Sequence, residues 1–364
     1  MTDKEARRVE HKREYWLDVA KGVAIIAVVM GHVVASYHNS GLLLEAAGFN
    51  FVHSFIASFQ MPLFFVISGY LYRVTDKPDI TVGNKIGKKV LSYGIPYIVF
   101  SIGYWILKAF TSGYVNTKLD ISDLILIPVY PISFMWFIYA LMVITIIAIL
   151  LDSQNYNKKV ILAVSFIAMM ILPYISKLEI LSEISFTDMV LCDVLKWFFY
   201  FYLGAHAGAS FIKWLGVNKK NNTLFVLNEM AMAAMVIICF NFEQINSLSI
   251  INVVKAIINV VKAFLCITFF LQLSYRIGPN KILEHIGKNS FPIYLIHGVV
   301  IAVARISMDR LGILIEGGWS QLCICTLSGI ILPLMLYKIS QKIWIIDFCF
   351  YPNRYLARDK DQNK

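Results

Sequence analysis

The chain has 364 residues, 58% hydrophobic and only 15% charged, with a mean hydropathy of +0.67. That balance excludes a soluble globule and specifies an all-α, polytopic membrane bundle. The net charge of +10 sits mostly in short loops and tails on one side of the expected spans, so it does not point to nucleic acid.

Ten apolar runs are long enough to be read as spans: 16–38, 52–72, 90–110, 132–151, 159–176, 189–212, 223–242, 250–274, 291–308 and 319–345. The first span is long, internally charged and without a cleavage pattern, so it is read as retained rather than as a signal peptide. Lys and Arg concentrate in the N-terminal tail, the C-terminal tail and the alternate loops, which predicts both termini in the cytoplasm. The expected organisation is a basic tail at 1–15, one transmembrane domain at 16–345, and a second cytoplasmic tail at 346–364. A multi-pass protein of a bacterial-type inner membrane fits this layout. The six cysteines fall in or beside apolar spans, and their spacing marks neither a disulfide framework nor a metal site.

The first span carries ionisable residues where a membrane helix rarely keeps them. Asp18, Lys21 and His32 all fall inside it. Insertion scales charge roughly 2.5–3.5 kcal/mol for Asp or Lys at a helix centre, so such groups need a partner or a use. Helical spacing puts Asp18 and Lys21 on one face, one turn apart. Lys21 to His32 is eleven residues, about 16 Å along the axis.

The second span contains Met61-Pro62, with Gln60 beside it, and the small pair Ser68-Gly69. Pro62 removes a backbone donor inside the helix, and the small pair permits close helix approach. The loop after it holds Arg73, Lys77, Lys85, Lys88 and Lys89. That run is either an orientation signal facing anionic lipid or an anion pocket for a phosphorylated cosubstrate. Further along come Tyr93-Gly-Ile-Pro96-Tyr97 and Met135-Trp136-Phe137. The eighth span repeats Asn-Val-Val-Lys-Ala from Asn252 and from Asn259, placing Lys255 and Lys262 on one helix face. Lys255 can snorkel outward, whereas Lys262 is deeper and needs a carboxylate or a polar cavity. The last motif is Ile286-Gly-x-x-Ser290 followed by Tyr294-Leu-Ile-His297.

Taken in order, these motifs resemble the acyltransferase-3 family of integral membrane acyltransferases, and particularly its fucose-4-O-acetylase-like branch. The resemblance implies a ten-helix enzyme that moves an acyl group, usually acetyl, from acyl-CoA to a hydroxyl. The acceptor it implies is a cell-surface carbohydrate or its lipid-linked precursor. The family's helix-one histidine matches His32. Its helix-one arginine is Lys21 here, which keeps the charge but loses the bidentate fork. Many relatives have a histidine just before Met-Pro; this chain has Gln60.

The chemistry agrees with that reading. Acyl transfer to an alcohol needs a base, for which His32 has the right ordinary range. It needs donors to the thioester oxyanion, which Gln60, Ser68 or Tyr294 can supply. Asp18 is expected to pair with Lys21 or to orient other groups. Coenzyme A as cosubstrate, with no tightly bound cofactor and no metal, would lay its acidic head near Lys21, Arg73, Lys85, Lys88 and Lys89. The remaining expectations are that His297 serves donor binding or a structural hydrogen bond, and that Trp136 stacks on a ligand or packs the core. Counted from the start of its span, His297 is expected to be too shallow to share a proton with His32. The rival class is a transporter or flippase of a glycan precursor, which also uses kinked helices and buried charges; no inverted repeat is visible between the halves. Membrane lipids are the other expected partners, and the oligomeric state is not legible.

Overall fold

The computed structural model describes residues 15–39, 47–110, 121–175, 194–208, 210, 222–243, 249–312 and 318–356. Among the described residues every regular element is a helix. In chain order they are α1 (Tyr15–Asn39), α2 (Ala47–Val74), α3 (Val82–Lys89), α4 (Ile95–Phe110), α5 (Ile121–Leu126), α6 (Trp136–Ser153), α7 (Lys158–Ile175) and α8 (Val194–His206). Then follow α9 (Asn222–Glu243), α10 (Ser249–Ile277), α11 (Lys281–Lys288), α12 (Ser290–Arg310), α13 (Trp319–Ser340), α14 (Trp344–Phe350) and α15 (Asn353–Leu356).

Seven helices among the described residues are long and apolar enough to cross a membrane: Tyr15–His38, Val52–Val74, Val82–Phe110, Ser133–Ser153, Ala256–Ile277, Ser290–Arg310 and Trp319–Ser340. The protein is therefore an integral membrane protein. The count of ten expected from hydropathy is not reproduced at this level. The other three runs coincide with α7, α8 and α9. The described part of α8 has 13 residues, about 20 Å of helix against a hydrocarbon core of about 30 Å. Phe198, Phe199, Tyr200, Phe201 and Tyr202 are all buried, where α8 wedges against α2, α6 and α7; the ends of the 189–212 run lie outside the described residues.

α1 is the axis of the bundle. Val19, Ala20, Ala24, Ile25, Val29 and Val33 are fully buried, and the helix packs on α2, α10, α11, α12 and α13. Small side chains let its neighbours come close. The Ser68-Gly69 pair does what its size predicts: a Cβ at Gly69 would overlap the carbonyl of Phe201, and one at Gly204 would overlap that of Val66, so α2 and α8 touch backbone to backbone. By contrast Val99, Ile102, Ile106 and Leu107 on α4, and Leu327, Ile331, Leu332, Met335 and Leu336 on α13, are exposed. These are apolar faces turned outward, as lipid contact requires.

Two local features shape the bundle near its cavities. α3 runs into α4 through a π turn at Val90–Gly94. Pro96 has no N–H to offer the carbonyl of Ser92, and the backbone widens just there. Residues 346–356, placed in the C-terminal tail by hydropathy, form α14 and α15 and fold back on the bundle. Phe350 packs on Phe100, with ring centroids 4.8 Å apart, and Asn353 donates to Ser92 Oγ and to the carbonyl of Lys88.

Candidate active site

The site is set by three helices that share one level. A Cβ at Gly287 would overlap the carbonyl oxygen of Asp18, and one at Gly22 would overlap that of Leu283. α11 thus crosses α1 in direct backbone contact. Beside this crossing, Lys21 Nζ meets Asp18 Oδ1 at 2.8 Å, with side-chain exposures of 16% and 2%. From Gly22 to His32 is ten residues, and from Gly287 to His297 is also ten. The first interval is about 15 Å of continuous helix; the second passes through the break at Asn289 between α11 and α12.

That equality corrects the expected depth of His297. Position within its own span makes it look shallow. Measured from the Gly22–Gly287 crossing, it lies level with His32, because α1 and α12 advance in the same direction. The two imidazole centroids are 4.9 Å apart. His297 is fully buried. Its Nδ1 lies 2.6 Å from the carbonyl of Tyr294 and 3.2 Å from that of Ile293. Carbonyls only accept, so Nδ1 carries the proton and Nε2 keeps its lone pair. That Nε2 is buried without a hydrogen-bond partner among the described residues.

Phe134 closes the site around the pair. Its ring lies 5.9 Å from His32 and 4.9 Å from His297 between centroids. It fits because Gly298 has no side chain: a Cβ there would overlap the Phe134 ring. The preceding Ser133 takes a positive φ of 52°, which turns the chain from the 3-10 segment Ser133–Met135 into α6. The Tyr294 hydroxyl donates to the Phe134 carbonyl, so this tyrosine holds the wall in place.

A cavity of about 460 Å³ opens in front of His32, within the ~300–1,000 Å³ usual for small-molecule sites. Lys21, His32, Gln60, Ser68, Trp136 and Tyr294 all line it. Six of the residues singled out from sequence therefore face one space. Asp18 and His297 stand behind it, each touching a residue that lines it. The Gln60 amide oxygen is buried without a hydrogen-bond partner among the described residues, beside the backbone of Gly31.

The basic loop forms a second, smaller space of about 250 Å³, lined by Lys77, Lys85, Lys88 and Lys89 together with Asp76 and Asn353. Ser92, on the π turn, lines both spaces, which therefore lie next to each other. Lys85 is already paired with Asp76 at 2.6 Å, and Lys89 lies over the Tyr93 ring, 5.8 Å from its centroid. Arg73 is exposed at the end of α2 and lines neither space.

Other lining residues carry no signal in the sequence. Lys288, paired with Glu284 at 3.2 Å, lies at one of the unassigned positions of the Ile286–Ser290 motif. Phe134 is two residues before Trp136 and looks like ordinary core. Tyr351 reaches the cavity only because α14 folds back, which no local pattern announces. A further polar cluster is equally silent. Asp152 accepts from Tyr72 at 3.0 Å and Tyr202 at 3.1 Å, and His206 Nε2 stands 3.1 Å away. Its four members come from three helices, so spacing could not reveal it.

The family model described as an acyltransferase domain matches residues 14–338, which includes every site residue except Tyr351 and Asn353. The chain is also similar to nodulation protein NolL of Mesorhizobium japonicum, 24% identical over 311 residues that cover 80% of this chain and 77% of that protein. No solved structure matches. With the family match running across almost the whole bundle, the chain belongs to the acyltransferase-3 family of integral membrane acyltransferases.

Proposed function

We propose that the protein transfers an acyl group, acetyl by default, from acyl-CoA to a hydroxyl of a cell-surface carbohydrate or its lipid-linked precursor. The observation that carries this reading is the shared cavity: a histidine, a lysine, a buried amide and aromatic rings converge on one space that adjoins a basic pocket at Ser92. The coenzyme A phosphates sit among Lys88, Lys89 and Lys21, at the end of the bundle taken as cytoplasmic. The pantetheine arm follows the stripe of α1 inward; its length is of the order of the ~16 Å from Lys21 to His32.

His32 takes the proton from the acceptor hydroxyl. The oxygen attacks the thioester carbonyl, and the charge that develops on the carbonyl oxygen is met by donors in the cavity. Gln60 and Ser68 are placed for this, since Tyr294 is engaged with Phe134. The intermediate collapses with loss of the coenzyme A thiolate, which takes the proton back from His32. The buried acceptor at His297 Nε2 supports the imidazolium of His32 when it forms, once the rings turn toward one another.

The test is the His32→Ala protein, purified and shown to unfold at the wild-type temperature. Its transfer or hydrolysis of labelled acetyl-CoA should fall about 10²–10⁴-fold, the scale of a lost general base. Turnover close to wild type would remove His32 from the chemistry. Glycan transport without any thioester consumption would favour a flippase instead.

A further inference from the structure

On the opposite face of α2 lies a cavity of about 510 Å³ that the proposed reaction does not use. Lys196, Lys262 and His53 line it. Lys262 is only 6% exposed. Among the described residues no carboxylate lies within ion-pair distance of Lys262 or Lys196. A buried ammonium without a counter-charge inside a membrane bundle is costly, and such groups mark ligand pathways. Lys196 is held over the ring of Trp197, 4.8 Å from its centroid.

The rest of the lining is polar as well as aromatic. Ser54 and Asn259 offer hydrogen-bonding groups, while the faces of Trp197 are taken by Lys196, Phe65 and Trp136. Ser58 and Pro62 also line the space. Pro62 has no N–H for the carbonyl four residues back, so the Ser58 carbonyl loses its helical donor and is left to accept from elsewhere. The partition between the two cavities is aromatic: Trp197, on this side, stacks on Trp136, on the His32 side, at 6.0 Å. Along α2 this cavity spans His53 to Pro62, whereas the donor side runs from Gln60 through Leu71 toward the basic loop. The coenzyme A phosphates therefore belong at the other end.

We infer that this cavity binds an anionic carbohydrate, its acid group on Lys262 and Lys196 and its hydroxyls on Ser54 and Asn259. The inference does not rest on the acyl-transfer reading, since the aromatic partition separates this cavity from His32.

The test uses the full-length protein in detergent, wild type and His32→Ala, titrated with octyl glucuronide, an octyl glucosyl phosphodiester, octyl glucoside and dodecyl phosphate. At least one anionic glycoside should bind about tenfold or more tighter than octyl glucoside, the scale of a charge-assisted hydrogen bond. That preference should vanish in Lys262→Met and persist in Lys262→Arg. Which glycoside binds identifies the source of the charge. Without ligand, Lys262→Met should melt at or above the wild-type temperature, because it removes a buried cation that no carboxylate among the described residues meets. Three results overturn the inference: no preference for the anionic glycosides; dodecyl phosphate binding equally well, which makes this a lipid phosphate site; or a lower melting temperature in Lys262→Met with unchanged glycoside binding, which makes Lys262 half of a structural ion pair. Anionic glycosides that bind to a protein unable to transfer acyl groups would leave the cavity standing and sink the proposed function.

Discussion

Removing Lys21 should harm the protein more than removing Asp18. The two are bonded at 2.8 Å, but their surroundings differ: the Asp18 side chain is 2% exposed and Lys21 is 16% exposed, lining the cavity. Lys21→Met takes from a carboxylate in the protein interior the cation that meets its Oδ1. Breaking a buried pair in this way costs about 3–5 kcal/mol. Asp18→Asn strands an ammonium that can still turn toward the cavity, so its cost should fall below about 3 kcal/mol. The double variant removes both charges and should recover most of the loss, leaving a coupling on the order of 2–3 kcal/mol between contacting residues. Thermal unfolding of the four purified proteins in one detergent measures this cycle. Lys21→Arg should unfold like wild type, since it preserves the charge. If the double variant recovers stability but not acyl transfer, Lys21 serves the donor as well as the fold. Additive losses would refute the pairing, and equal losses for the two single variants would refute the asymmetry drawn from their exposure.

His297→Ala should lower kcat about 10-fold or more while KM for acyl-CoA holds, as expected for a group that acts on the base rather than on the ground-state complex; steady-state kinetics with unchanged kcat would return His297 to a packing role. Lys88→Ala with Lys89→Ala should raise KM for acyl-CoA more than Lys85→Ala does, because the charge of Lys85 is already met by Asp76. The difference should shrink in high salt, where exposed charges are screened, and an unchanged KM alongside altered membrane topology would make the loop an orientation signal.

How much of this was legible depended on whether the information was local. The Asp18–Lys21 contact follows from three-residue spacing within one helix, and the tight α2–α8 approach follows from Ser68-Gly69. The long apolar runs gave the membrane class. The level of His297 was not legible, because it depends on where α11 crosses α1, and no pattern within either helix records that. α8 marks the limit of hydropathy in another way. The rings of its described part are buried by protein on several sides, and hydropathy does not distinguish protein from lipid as the apolar neighbour; the ends of the run at 189–212 lie outside the described residues. Tyr351 and the Asp152 cluster depend on segments far apart in sequence coming together, which a single chain read end to end does not encode.

The Gly22–Gly287 crossing has a consequence for how this sequence can change. It acts as a common zero from which two rulers are read, each ten residues long and each ending in an imidazole, one along α1 and the other through the α11–α12 junction into α12. Side chains along either ruler can be exchanged for others of similar size without moving its end. An inserted or deleted residue cannot be absorbed so easily. It shifts one histidine by about 1.5 Å along its helix and rotates it by about 100° around it, while the other stays put. The intervals 22–32 and 287–297 should therefore be fixed in length even where their composition is free, and variation in length should collect outside them.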